Sequence, residues 1–132
     1  MIRWKSLLLG AATFAAAHAV QAAAWTTWFH GVYAPWFLNS GRAVAFTAAC
    51  LLVAGMIVGL GTRAQRESIV AGCNLAAGAV VGMAIVLLVT GAGGNLFPIA
   101  FVVGTVVISV SSVGGALAAW AMRSVLSRPY SR

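Results

Sequence analysis

The chain has 132 residues, of which 62% are hydrophobic and 7% charged, with eight Lys or Arg, one Glu and a net charge of +7. A soluble domain carries about 25% charged residues, so a water-facing surface cannot be built from this set, and most of the exterior must meet lipid or other protein. The basic residues Arg3, Lys5, Arg42, Arg63, Arg66, Arg123, Arg128 and Arg132 stand beside apolar runs rather than clustered on one face. That is the placement of topology signals and excludes a nucleic-acid surface.

Arg3 and Lys5 open the chain as a basic n-region, and Ser6 to Val20 is apolar. Ala17-His18-Ala19 and Ala22-Ala23-Ala24 fit the small-residue pattern of a signal-peptide cleavage site. The same segment, about 6–24, also serves as an Ala-rich first transmembrane helix, with Ala12, Ala16 and Ala19 as a small-residue face. Both readings stay open. The next segment, 25–41, holds Trp25, Trp28, Phe29, Tyr33, Trp36 and Phe37. Trp and Tyr favour the membrane interface, and the aromatic spacing there suits a short interfacial helix or turn.

Residues 43–61 are uncharged and long enough to span a bilayer, and a polar loop at 62–68 follows, containing the only acidic residue, Glu67. From Ser68 to Met122 there are 55 residues without Asp, Glu, Lys, Arg or His. One helix of that length would reach roughly 80 Å at 1.5 Å per residue, against a bilayer core of about 30 Å, so the run must fold back once. Gly91-Ala92-Gly93-Gly94-Asn95 with Pro98 marks the turn. Helices are expected at 69–90 and 97–122, an outer turn at 91–96 and a polar tail at 123–132.

The fold class that follows is an all-α integral membrane protein forming a single domain. It is an antiparallel bundle of four transmembrane helices, or three if the first segment is cleaved. With the N-terminus inside, seven basic residues lie on the cytoplasmic side and only Arg42 lies outside, which orients the C-terminus to the cytoplasm. Trp4 and Trp120 then anchor the inner interface, and Trp25, Trp28 and Trp36 the outer one. The default location is a bacterial inner membrane, with anionic headgroups drawn to the basic rim.

Helices in lipid associate through small residues that let backbones approach. Gly55 and Gly59 supply such a stripe in the second span. Gly72, Gly78 and Gly82 do so in the third, and Ser111, Gly115 and Ala119 in the fourth. Thr105, Ser109 and Ser112 give the fourth span a hydroxyl face, and Asn74 is the most polar group inside a span. Together these four residues form either an interhelical seam or a polar path. No internal repeat is apparent.

Catalytic chemistry finds no foothold. Coupled transport normally uses an intramembrane carboxylate, and the single Glu67 reads as a solvated loop ion pair with Arg63 and Arg66. His18 and His30 differ too much in depth to share a metal or haem, so no cofactor or metal site is expected. Cys50 and Cys73 differ in depth by roughly 10 Å along their helices, beyond the about 7 Å that a disulfide tolerates, so both should be free, buried thiols. The expectation is a non-enzymatic structural or accessory subunit, packing against itself or a larger membrane complex. The alternative is a small pore, holin-like protein or passive transporter lined by the hydroxyl face.

Overall fold

A computed structural model describes residues 4–23, 41–90 and 97–127. The described chain is all-helical: α1 (Trp4–Ala23), α2 (Gly41–Leu60), α3 (Gln65–Thr90) and α4 (Phe97–Leu126). All four are long and apolar enough to cross a membrane. Their outward faces carry large aliphatic side chains, Leu88 at 74% and Val89 at 80% exposure among them, a surface that water would not tolerate but lipid does. The expected aromatic interfacial segment and the outer turn at 91–96 lie outside the described residues, apart from Gly41, which begins α2.

Two boundaries differ from expectation by more than two residues. α3 begins at Gln65 rather than 69, because Glu67 is part of its first turn: its Oε2 accepts a hydrogen bond from the Arg63 N–H at 3.0 Å. Such a carboxylate satisfies one of the donors that a helix start leaves open and complements the positive end of the helix dipole. Glu67 is therefore a helix-start group rather than a loop residue. α4 continues to Leu126, one turn past the expected end at 122, carrying Arg123 in its last turn.

The helices do not pack mainly with their sequence neighbours. α2 lies most extensively on α4, α1 on α3, and α3 next on α4, while the α1–α2 and α2–α3 contacts are slighter. In the α1–α3 couple, Gly78 sits against the Leu7 carbonyl and Gly82 against Ala11, with Gly10 against the Leu75 carbonyl. The register rises together along both helices, so this couple is parallel. In the α2–α4 couple, Gly55 sits against the Ser112 carbonyl, Gly59 against the Ala116 carbonyl and Gly115 against the Leu52 carbonyl. This couple is parallel too. The couples are set antiparallel to each other, with Gly72 of α3 meeting Val113 Cα of α4 at 2.9 Å from its would-be Cβ.

The couples repeat one geometry. In each, a GxxxG helix meets a partner in which a Gly lies three residues after the carbonyl facing the first glycine (Leu7 and Gly10, Ser112 and Gly115) and an Ala follows that Gly (Ala11, Ala116). The segments 52–60 and 75–83 align without a gap and are identical at five of nine positions: Leu52/Leu75, Ala54/Ala77, Gly55/Gly78, Val58/Val81 and Gly59/Gly82. The structure thus brings out a short internal similarity that reading along the sequence does not. Where a Cβ would fall on a facing carbonyl, the glycine Cα hydrogen points there instead, in the Cα–H···O geometry common at helix crossings.

Between the couples the space is filled by Phe14, Leu51, Ala76, Ala79, Met83, Leu87 and Ile108, all buried. Replacing Gly55 or Gly78 by Ala drives a methyl into backbone that cannot yield, and should lower the stability of the detergent-solubilised chain by about 1–3 kcal/mol. Gly114 meets nothing within 4 Å, so Gly114→Ala should instead gain up to about 1 kcal/mol of helix propensity. Unfolding by denaturing detergent, followed by circular dichroism, measures both; a loss at all three glycines would contradict the assignment of Gly114 to open space.

Candidate functional site

The polar groups of the bundle gather towards helix ends. At one end, α2 finishes in a tight turn. The Gly61 N–H bonds to the Val58 carbonyl at 3.2 Å and the Thr62 N–H to the Gly59 carbonyl at 3.1 Å. The Thr62 hydroxyl, fully buried, also donates to the Gly59 carbonyl at 2.7 Å. The Leu60 carbonyl, the last of the helix, accepts from Arg123 Nη1 at 2.9 Å, and the Thr62 carbonyl accepts from the same nitrogen at 3.2 Å. Carbonyls at a helix C-terminus have no partner within the helix, and a cation there also meets the negative end of the dipole. Arg123, expected from sequence as a topology signal, ties α4 to the end of α2. Beside it, the buried Ser68 hydroxyl of α3 donates to the Ala116 carbonyl of α4 at 2.7 Å.

Among the described residues, the opposite end has a comparable tie. Gln21, 3% exposed, donates through Nε2 to the Thr47 hydroxyl at 2.6 Å and to the Ala43 carbonyl at 3.2 Å. It joins α1 to α2, where apolar contact is slight. Sequence reasoning passed over Gln21, treating its surroundings as an alanine-rich cleavage region. The signal available was its place on the buried stripe Ser6, Gly10, Phe14, Ala17, Gln21, which recurs at helical spacing.

The residues singled out from sequence separate into distinct roles. Gly55, Gly59, Gly72, Gly78, Gly82, Gly115 and Ala119 are all buried within the chain, and Ser111 is half-buried. The glycine contacts are internal to the bundle. The residues of the hydroxyl face differ in burial and partners. The Thr105 hydroxyl donates back to the Phe101 carbonyl of its own helix at 2.7 Å, Ser109 is half-buried, and Ser112 is fully buried. The Ser112 Oγ has no hydrogen-bond partner among the described residues. Asn74, half-buried on α3, is engaged by another group of the protein.

Trp4 is 68% exposed at the start of α1, and Trp120 is half-buried on α4. Trp25, Trp28 and Trp36 lie outside the described residues, as does His30. Both described cysteines are free, but Cys73 is exposed and Cys50 only half-buried. The expectation of two buried thiols is thus corrected: α3 turns Cys73 outward while the adjacent Gly72 packs on α4. Among the described residues, no three His, Cys, Asp or Glu side chains come together.

Small residues are open on two helices: on α1, Ala12, Ala15, Ala16 and Ala19 are all exposed. On α4, Gly114 and Ala118 are exposed beside half-buried Ser111, with Ala121 one turn further on. Adjacent Gly115 is pressed against α2 while Gly114 meets nothing.

No protein-family model matches this chain, and no characterised protein or solved structure is recognisably similar to it.

The Gln21 tie can be tested directly. Gln21→Leu preserves bulk but removes both hydrogen bonds, leaving Thr47 and the Ala43 carbonyl without that donor. Interhelical hydrogen bonds in membranes contribute about 0.6 kcal/mol on average and up to about 1.7, and the two bonds should place this variant near the upper figure in the same unfolding assay. Thr47→Val should lose less, because the Ala43 carbonyl keeps its donor. Equal stability of Gln21→Leu and the parent chain would remove Gln21 from the account.

Proposed function

We propose that this protein is a structural or accessory subunit of a membrane assembly, associating with copies of itself or with a larger membrane complex, and that it has no catalytic role. One observation carries the reading: Gly114 lies in open space on the outer face of α4. A glycine facing lipid costs helix propensity and gains nothing, whereas a glycine facing another helix permits close backbone approach. Ser111, Gly114, Ala118 and Ala121 recur at helical spacing and extend that surface over about three turns. The other packing glycines are engaged within the chain, so α4 offers the contact face that they do not. In this reading α1 is retained in the mature protein, since its stripe from Ser6 to Gln21 packs on α3 and α2.

The membrane proposed is a bacterial inner membrane, with the N- and C-termini on the cytoplasmic side and anionic headgroups at the basic rim. Positive charge retained on one side supports that orientation. The pore reading is weaker for a single copy, because Phe14, Leu51, Met83, Leu87 and Ile108 fill the space between the helices.

Gly114→Leu separates folding from assembly. The side chain enters open space, so helicity and stability of the isolated chain should hold. The native assembly, extracted in a mild detergent and sized by analytical ultracentrifugation with mass spectrometry of its components, should dissociate. Gly115→Leu should instead destroy the bundle itself. An unchanged assembly in the Gly114→Leu variant refutes the α4 contact. The intact mass of the extracted chain should be the full 13.5 kDa; a mass short by residues 1–24 would overturn retention of α1.

A further inference from the structure

Where α2 ends against α4, a groove of about 420 Å³ opens to the outside. Its walls are Met56 and Leu60 from α2 and Ala119, Met122 and Leu126 from α4, with Arg123 and Ser127 at its head. The lining is apolar apart from those two residues. The cation at its head is held in place: Arg123 Nη1 is fixed by the Leu60 and Thr62 carbonyls. A guanidinium carries five N–H donors in a rigid fork, and the two carbonyl bonds use Nη1 alone, so Nε and Nη2 remain as donors above an apolar trough lined by the arginine stem.

An aliphatic trough with a positioned guanidinium at its mouth matches one chemistry. Phosphate oxygens accept from the fork, and a hydrocarbon chain lies along the trough. Below Arg123 the groove runs from Ala119 on α4 and from Met56 on α2, about 6 Å at 1.5 Å per residue, enough to seat the first carbons of an acyl chain. A partner helix would need a trough running the full span, which this is not. The neighbouring charges favour an anion as well. Arg63 and Arg66 are exposed in and just after the turn that Arg123 braces, and Glu67, the one acidic residue, lies on the α3 side with an oxygen held by the Arg63 N–H.

We infer that this groove is a binding site for one phospholipid with a net negative headgroup, its phosphate on Arg123 and an acyl chain between α2 and α4. The site rests on the membrane-spanning reading but not on the α4 contact at Gly114, which lies about two and a half turns from Arg123 along the helix. The bound lipid also covers the α2–α4 joint, so the basic rim acts as a specific seat in addition to a diffuse attraction.

The test uses the full chain in detergent, titrated with phosphatidylglycerol or phosphatidylcholine of the same acyl length and read by native mass spectrometry. One phosphatidylglycerol should be retained per chain, with about tenfold preference over phosphatidylcholine, the scale of one charge-assisted contact. Arg123→Gln should abolish the preference, and Arg123→Lys should keep part of it. Met122→Trp, which fills the trough at an exposed position without touching the guanidinium, should weaken both lipids. Glycerol phosphate alone should not displace the bound lipid at matched concentration. The proposal fails if the native chain shows no headgroup preference, or if Arg123→Gln keeps it. It fails also if Met122→Trp leaves affinity unchanged, an arm that decides the matter even if Arg123→Gln misfolds, or if glycerol phosphate competes as well as the lipid. Gly114→Leu should leave lipid binding intact, which separates failure of this site from failure of the assembly reading.

Discussion

The bundle depends on backbones touching where glycine removes the side chain. In lipid there is no hydrophobic penalty to drive helices together, so association requires close packing. Gly10, Gly55, Gly59, Gly78 and Gly115 each place their backbone against a facing carbonyl, and none of these contacts survives a methyl group without movement of the main chain. The consequence reaches the topology. Couples that match glycine to carbonyl are α1 with α3 and α2 with α4, so the closest partners are parallel helices separated in sequence by another span. The short turn from α2 to α3 joins one couple to the other and contributes little packing of its own.

Helix ends pose the complementary problem. The middle of each span satisfies its own backbone, but the last turn does not. At the end of α2 these carbonyls are answered by the Gly61 and Thr62 N–H groups, the Thr62 hydroxyl and the Arg123 guanidinium. A basic group at the end of α4 thereby closes α2 and joins two helices. The opposite end relies on Gln21, whose two bonds hold α1 to α2 across their slight contact. Close packing sets which helices pair, and polar ties at the ends limit how the pairs slide.

Much of the fold could be read from the sequence, because a charge-free run of 55 residues cannot be one span and the positions of Gly, Pro and Arg mark its limits. The helix count and the packing glycines follow from composition and spacing. What could not be read is which glycine faces which helix. Gly114 and Gly115 are adjacent and chemically identical, yet one is locked and the other open; the difference is a rotation of about 100° around the helix axis, which only the assembled bundle assigns. Glu67 looked like a loop residue because the helix it opens begins inside a polar stretch, and Gln21 was hidden by the alanines around it. The hydroxyls of Thr105, Ser109 and Ser112 share a helical face by spacing, but they differ in burial and partners.

The two couples also explain why the chain has little room for chemistry inside and more at its surface. Each couple is closed by direct backbone contact, and the junction between couples is filled by Phe14, Leu51, Met83, Leu87 and Ile108. A substrate path through the centre would require the couples to part, against the α3–α4 contact at Gly72 and the Ser68 bond to Ala116. The outer faces carry no such constraint. There the chain presents an open small-residue strip on α4 and a basic-headed apolar trough between α2 and α4, both on the α4 side of the bundle. The closed interior and these outward-facing features are the ground on which the proposed role, holding protein or lipid in the membrane, rests.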